Sequence, residues 1–144
     1  MLWFILLVLL LIAALPFADE WRRKPMSRAA RTGAAGEFAD LSRGLTHYRW
    51  TGPLRGPVAV CVHGLTTPSQ VWEGVGEGLA AQGFRVLTYD LYGRGYSDRP
   101  AGLQDRDFFL TQLEELLEHQ NVKGDFLLLG YSMGGAIATA YASK

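Results

Sequence analysis

The amino-acid sequence predicts an α/β fold, a mostly parallel sheet flanked by helices and preceded by an apolar N-terminal helix. Three observations point there. The continuous apolar run at residues 58–62 and the short, mainly apolar stretches at 84–89 and 126–129 are too brief for ordinary helices and read as strands covered on both faces. Between them, apolar residues recur at three- and four-residue spacing, as in amphipathic helices. Strands that alternate with helices imply a parallel sheet with right-handed crossovers.

The elements follow in order along the chain. Residues 1–18 carry no charge and are rich in Leu, Ile, Val, Phe and Trp; as a helix they would span roughly 27 Å, just enough to cross a bilayer core. No basic side chain precedes the run, so an uncleaved transmembrane anchor is expected rather than a cleaved secretory signal, the alternative that would leave the domain secreted or periplasmic. Arg22, Arg23, Lys24, Arg28 and Arg31 follow it against Asp19 and Glu20, which by the positive-inside rule puts the domain on the cytoplasmic side. Trp3 and Trp21 suit the two interfaces. Residues 19–36 are small, basic and glycine/alanine-rich and read as a tether, with the folded domain over 37–144.

Two strands at 38–42 and 45–51, separated by Arg43-Gly44, make a hairpin. The strand at 58–62 follows. Val71, Val75 and Leu79 then fall on one helical face, with Gly83 placed to end that helix. After the strand at 84–89 comes a glycine-rich loop over 91–102. Leu110, Leu113 and Leu117 mark a further helix, with Asp105 and Asp107 at its N-terminal end. The strand at 126–129 and a helix over 136–142 complete the chain.

Composition excludes several roles. Among 144 residues, 14 Lys and Arg balance 14 Asp and Glu, so no global field draws the chain to nucleic acid. The single cysteine, Cys61, lies inside the apolar run 58–62 and reads as a buried inert thiol. Three histidines without cysteine partners form no recognisable metal site, and neither metal nor organic cofactor is expected.

Chemistry concentrates in Gly130-Tyr131-Ser132-Met133-Gly134, set between a strand and an alanine-rich helix. This is the pattern of a nucleophile elbow. Ser132 is the expected nucleophile, projected from a turn so tight that Gly130 and Gly134 must be small. The helix that follows aims its positive end at the site.

With His63-Gly64-Leu65 directly after the strand at 58–62, the sequence resembles the α/β-hydrolase superfamily. The resemblance implies that the backbone N–H groups of Leu65 and Met133 form an oxyanion hole and that His63 is structural. Each such donor supplies roughly 3 kcal/mol of transition-state stabilisation in acyl transfer. A rival reading makes His63 the catalytic base, but in the family the base follows the nucleophile. The stretch from Asp90 through Gly93 and Gly95 to Ser97 is similar to the family's Asp-x-x-Gly-x-Gly-x-Ser loop, which shapes the wall around the nucleophile. A dinucleotide-binding reading of those glycines fails, because position 98 is Asp98.

His63-Gly64-Leu65-Thr66-Thr67 and the elbow look like the serine esterase and monoacylglycerol-lipase branch, which implies a small-molecule ester substrate, and a membrane anchor would suit a lipid-like one. The sequence departs from the family in one respect. The family orders its triad Ser, acid, His, yet residues 133–144 contain no Asp, Glu or His. A serine without an adjacent base is a poor nucleophile, so the chain is expected to be an N-terminal part of the domain and close to inactive alone. Two other readings are a non-catalytic membrane-tethered interaction module and a half-domain completed by a partner chain.

Overall fold

The computed structural model describes residues 2–22 and 26–144, with side chains for 3–18 and 26–144. Met1 and the basic residues Arg23 and Lys24 lie outside the described residues, as do the side chains of Trp21 and Arg22. The sheet has five strands: β1 (Glu37–Leu41), β2 (Gly44–Thr51), β3 (Val58–Val62), β4 (Arg85–Tyr89) and β5 (Leu127–Gly130). The helices are α1 (Leu2–Arg22), α2 (Glu73–Ala81), α3 (Arg106–His119) and α4 (Met133–Ala142).

Strand order is β1-β2-β4-β3-β5. The hairpin β1/β2 is antiparallel and β2 also runs antiparallel to β4, whereas β3 lies parallel to both β4 and β5. The expected mostly parallel sheet is therefore a mixed one. The reason is in the connections: β3, β4 and β5 are joined through helices, which parallel strands need, whereas the tight turn between β1 and β2 makes that pair antiparallel.

β3 and β4 behave as doubly covered strands; β5, expected to be buried as well, is the edge strand and stays partly exposed, with Leu127 open to solvent, because no strand among the described residues pairs with its outer side. Ala59, Val60, Cys61, Val62, Val86, Leu87 and Tyr89 are all fully buried. One core layer joins Val60, Val62, Leu87 and Tyr89 to α3 through Phe108, Leu113 and Leu116, and to α4 through Ile137. The other face packs Ala59, Cys61 and Val86 against Trp72, Leu79 and Ala80.

On α3 the expected apolar stripe is present and broader, since Phe108, Phe109 and Leu116 join Leu110, Leu113 and Leu117 in burial. Asp105 caps the helix by accepting the Phe108 N–H at 2.9 Å. On α2 the expected face of Val71, Val75 and Leu79 is displaced. Val71 and Val75 are exposed, and a short 3-10 turn (Ser69–Trp72) precedes the helix. Buried instead is Gly76, whose missing side chain lets α2 approach Val86 of β4; a Cβ there would stand 3.7 Å from a Val86 methyl group.

The start of the domain also differs from expectation. Arg31, assigned to the tether, sits on the fold: its Nε donates to the Tyr96 carbonyl at 3.0 Å, its Nη2 reaches the Asp98 carboxylate at 2.5 Å, and it covers the Phe38 ring. The Ala35 carbonyl lies 3.0 Å from His47 Nε2.

A helix does form where the anchor is expected, with the side chains Trp3 to Phe17 exposed where large and apolar. Spanning is not supported: among the described residues, no helix is long and apolar enough to cross a membrane. The charge-free part of α1, about 17 residues at about 1.5 Å each, is at the lower limit for crossing a hydrocarbon core, and Pro16 removes one helical hydrogen bond near its end.

Candidate active site

The C-terminal ends of β3, β4 and β5 bring the expected site residues to one edge of the sheet. β5 runs through Gly130, Tyr131 donates its N–H to the Val62 carbonyl at 3.0 Å, and Ser132 follows at φ 53° and ψ −120°. That backbone conformation is strained for a residue with a side chain. It is what allows α4 to begin at Met133, three positions before the sequence suggested.

The glycines around Ser132 are spatial requirements. A Cβ on Gly130 would run into the Gly134 carbonyl, and one on Gly134 would run into the carbonyls of Val62 and His63. The first turn of α4 is thus pressed directly onto the end of β3. Gly64 closes the arrangement from the other side: a Cβ there would stand 3.2 Å from the Ser132 Cβ.

Met133 is the first residue of α4, so its N–H has no carbonyl within the helix to bond. Leu65 is exposed in the loop after β3. Ser132 itself is open to solvent.

His63 is fully buried. Its Nε2 accepts the Leu91 N–H at 2.9 Å, which leaves the proton on Nδ1, and Nδ1 donates to the Gly64 carbonyl at 2.6 Å. Burial pushes the imidazole below its ordinary pKa, outweighing the opposite effects of the Gly64 carbonyl and Asp90. Both ring nitrogens are thus occupied, with no lone pair left to take a proton from Ser132.

Asp90 is buried at the end of β4 and organises the neighbouring loop. Its carboxylate receives His47 Nδ1 at 2.8 Å, the Ser69 N–H at 2.8 Å and the Tyr96 N–H at 2.9 Å. Burial alone would raise its pKa, but these donors prevail and hold it below the usual carboxylate value. Gly95, at φ 49°, lies so close to this carboxylate that any Cβ would collide with it, while Gly93 at φ 80° turns the same loop.

Several contributors were not legible in advance. His47 bridges Asp90 and Ala35. Gln112 ties α3 to the loop by donating to the Asp90 carbonyl at 3.1 Å and accepting the Tyr92 N–H at 3.0 Å. Arg94 donates through Nε to the Leu65 carbonyl at 3.1 Å and so holds the loop that carries Leu65. Its place between Gly93 and Gly95 was the one available signal. Among the described residues, no group of three His, Cys, Asp or Glu side chains could hold a metal ion.

Comparison with known proteins agrees with this fold. The chain is 36% identical over 98 residues to a pimeloyl-[acyl-carrier protein] methyl ester esterase of Nitrosomonas europaea, covering 67% of this chain and 34% of the relative. It is 44% identical over 68 residues to a proline iminopeptidase of Saccharolobus solfataricus, covering 46% of this chain and 22% of the relative. An esterase from Exiguobacterium antarcticum superposes with a TM-score of 0.69 at 28% identity, over 76% of this chain and 40% of its own. In each case this chain spans well under half of the similar protein. The family model for the alpha/beta hydrolase fold matches residues 57–144, from the turn before β3 through α4 to the last residue, and the chain belongs to that family.

Proposed function

We propose that this chain carries the nucleophile and oxyanion part of a serine hydrolase that cleaves carboxylic esters through an acyl-enzyme on Ser132. The observation that supports it most is the conformation of Ser132, φ 53° between a strand and a helix, with Gly64 against its side chain. A strained serine at a strand-to-helix turn is hard to explain by folding alone.

In the reaction, Ser132 Oγ attacks the ester carbonyl carbon while its proton passes to a general base. The carbonyl π pair moves onto oxygen, and the N–H groups of Leu65 and Met133 receive that charge. Collapse breaks the bond to the alcohol oxygen, which leaves with the proton, and water then releases the acid by the same steps in reverse order.

The base cannot be His63, whose acceptor nitrogen holds the Leu91 N–H. No Asp, Glu or His follows Met133 within residues 133–144, so the reading takes the base and its orienting acid from outside residues 1–144. By itself this chain is then expected to acylate slowly. The same observation supports a second reading, a half-domain completed by a partner polypeptide.

A lipid-like ester is the proposed substrate class. Its support is α1, whose exposed apolar side chains surround the helix and would be covered by associating with a bilayer without spanning it, with the domain on the cytoplasmic side. Carbonate extraction of source-cell membranes tests the attachment: α1-dependent retention supports it, and release of the intact protein refutes it.

Fluorophosphonate labelling tests the catalytic reading. The complete native polypeptide should label rapidly and lose labelling in Ser132→Ala. Labelling no faster than that of a surface serine favours a non-catalytic module.

A further inference from the structure

Beside the loop that carries Leu65 lies an open cavity of about 1000 Å³, walled among others by Leu65, Thr66, Arg43, Arg94, Arg99 and Asp98. Its charge is lopsided. Among the described residues, Asp98 is the only carboxylate in that wall, and it is already engaged by the Arg31 guanidinium and by the Leu45 N–H at 2.8 Å. Among the described residues, Arg43, Arg94 and Arg99 have no carboxylate within ion-pair distance.

Two of the three guanidiniums are held in place. Arg94 lies over the Phe109 ring at 5.5 Å and Arg43 over the Phe108 ring at 5.1 Å. The hydrogen bonds of Arg94 all go to neutral oxygens, the carbonyls of Leu65 and Tyr92 and the side-chain oxygen of Gln104. Burial lowers its pKa, the mark of a cation withdrawn from water without a counter-charge. Among the described residues its Nη2 group has no acceptor, and those remaining N–H groups can donate to an oxygen of an anion. A cleft of one sign with low-dielectric walls also concentrates anions from solution.

We infer that this cavity receives an anionic group, carboxylate or phosphate, carried by the substrate, with Arg43, Arg94 and Arg99 as the residues that recognise it. That the ligand is a substrate rests on the hydrolase reading, because Leu65 belongs both to the cavity wall and to the proposed oxyanion hole. The cavity volume suits the charged end of such an ester substrate.

Binding, not turnover, is the readout. Monomethyl glutarate, 2-acetoxyethyl phosphate and the neutral dimethyl glutarate are titrated calorimetrically into the full chain, into Arg43→Gln/Arg99→Gln and into Arg43→Lys/Arg99→Lys, with melting curves to establish that each variant folds. The expected result is that at least one anionic ester binds ~10-fold or more tightly than the neutral one. That preference should be lost in the glutamine pair, largely kept in the lysine pair, and weakened by high salt. Preference for the monoester assigns a carboxylate, and preference for the acetoxyethyl ester a phosphate. Equal binding of all three esters, or an anion preference that survives in a folded glutamine pair, overturns the proposal. Anion binding without fluorophosphonate labelling of the native polypeptide at Ser132 removes the hydrolase reading and leaves the site; labelling without anion preference does the reverse.

Discussion

The Leu91 N–H donates to His63 Nε2 at 2.9 Å, joining the end of β4 to the end of β3 beneath the loop that carries Leu65. Both partners are fully buried, so neither can turn to water if the other is removed. His63→Ala is expected to cost about 1–3 kcal/mol, the usual penalty for stranding a buried donor, whereas His63→Gln can restore an acceptor. Urea denaturation of the pair measures the difference, and equal stability of the two variants would contradict the bond's importance.

The same histidine gives stability a sign with pH. Its folded pKa lies below the ordinary 6.5 because burial disfavours the cation. Below about pH 6.5 the unfolded chain therefore binds a proton that the folded chain does not, and stability falls on acidification. Asp90, whose folded pKa is also depressed, adds its own loss only as pH drops below its ordinary 3.8. Melting temperatures between pH 7 and 5 should decline in the wild type and more shallowly in His63→Gln.

Gly134→Ala is expected to disturb the elbow. The added methyl group meets the carbonyls of Val62 and His63, backbone atoms that cannot swing aside, and overpacking of this kind costs about 1–3 kcal/mol. A chemical denaturation midpoint reads the cost, and an unchanged midpoint would show that β3 and α4 are less tightly apposed.

Tyr89→Phe should stabilise the protein. Tyr89 is fully buried, and its hydroxyl has no hydrogen-bond partner among the described residues. Removing an unpaired polar group is expected to gain about 1 kcal/mol, seen as a higher melting temperature. A fall in melting temperature would mean that the hydroxyl has a partner.

Much of this organisation was legible because it rests on local patterns. The stretches 58–62, 84–89 and 126–129 became β3, β4 and β5 with shifts of a residue or less at each end; β3 and β4 are covered on both faces as parallel strands are, whereas β5 is partly exposed at the sheet edge. Ser132 was legible because its strain demands glycine on both sides. What escaped was non-local. Arg31 reaches Asp98 across 67 positions and His47 reaches Asp90 across 43, and no periodicity encodes such pairs. On α2 the pattern misled, because a glycine, Gly76, rather than a valine faces the sheet.

Cys61 should be inert while the protein is folded. Burial pushes its thiol up to about 12, so at pH 8 almost no thiolate exists to react. Iodoacetamide should modify it only after unfolding. Between its ordinary 9.0 and about 12 the unfolded thiol ionises while the folded one does not, and stability should fall as pH rises through that window. Rapid alkylation of the folded protein would contradict this placement.

The proposal that Ser132 is the nucleophile is tested most directly by finding where a fluorophosphonate attaches in the complete native polypeptide. Trypsin cuts after Lys123 and Lys144, so Ser132 lies in the peptide 124–144, which also contains Ser143, and fragmentation distinguishes the two. The account predicts a single adduct on Ser132 that forms quickly and is absent after heat denaturation. An adduct on another residue, or none on Ser132 in the folded native protein, would contradict it.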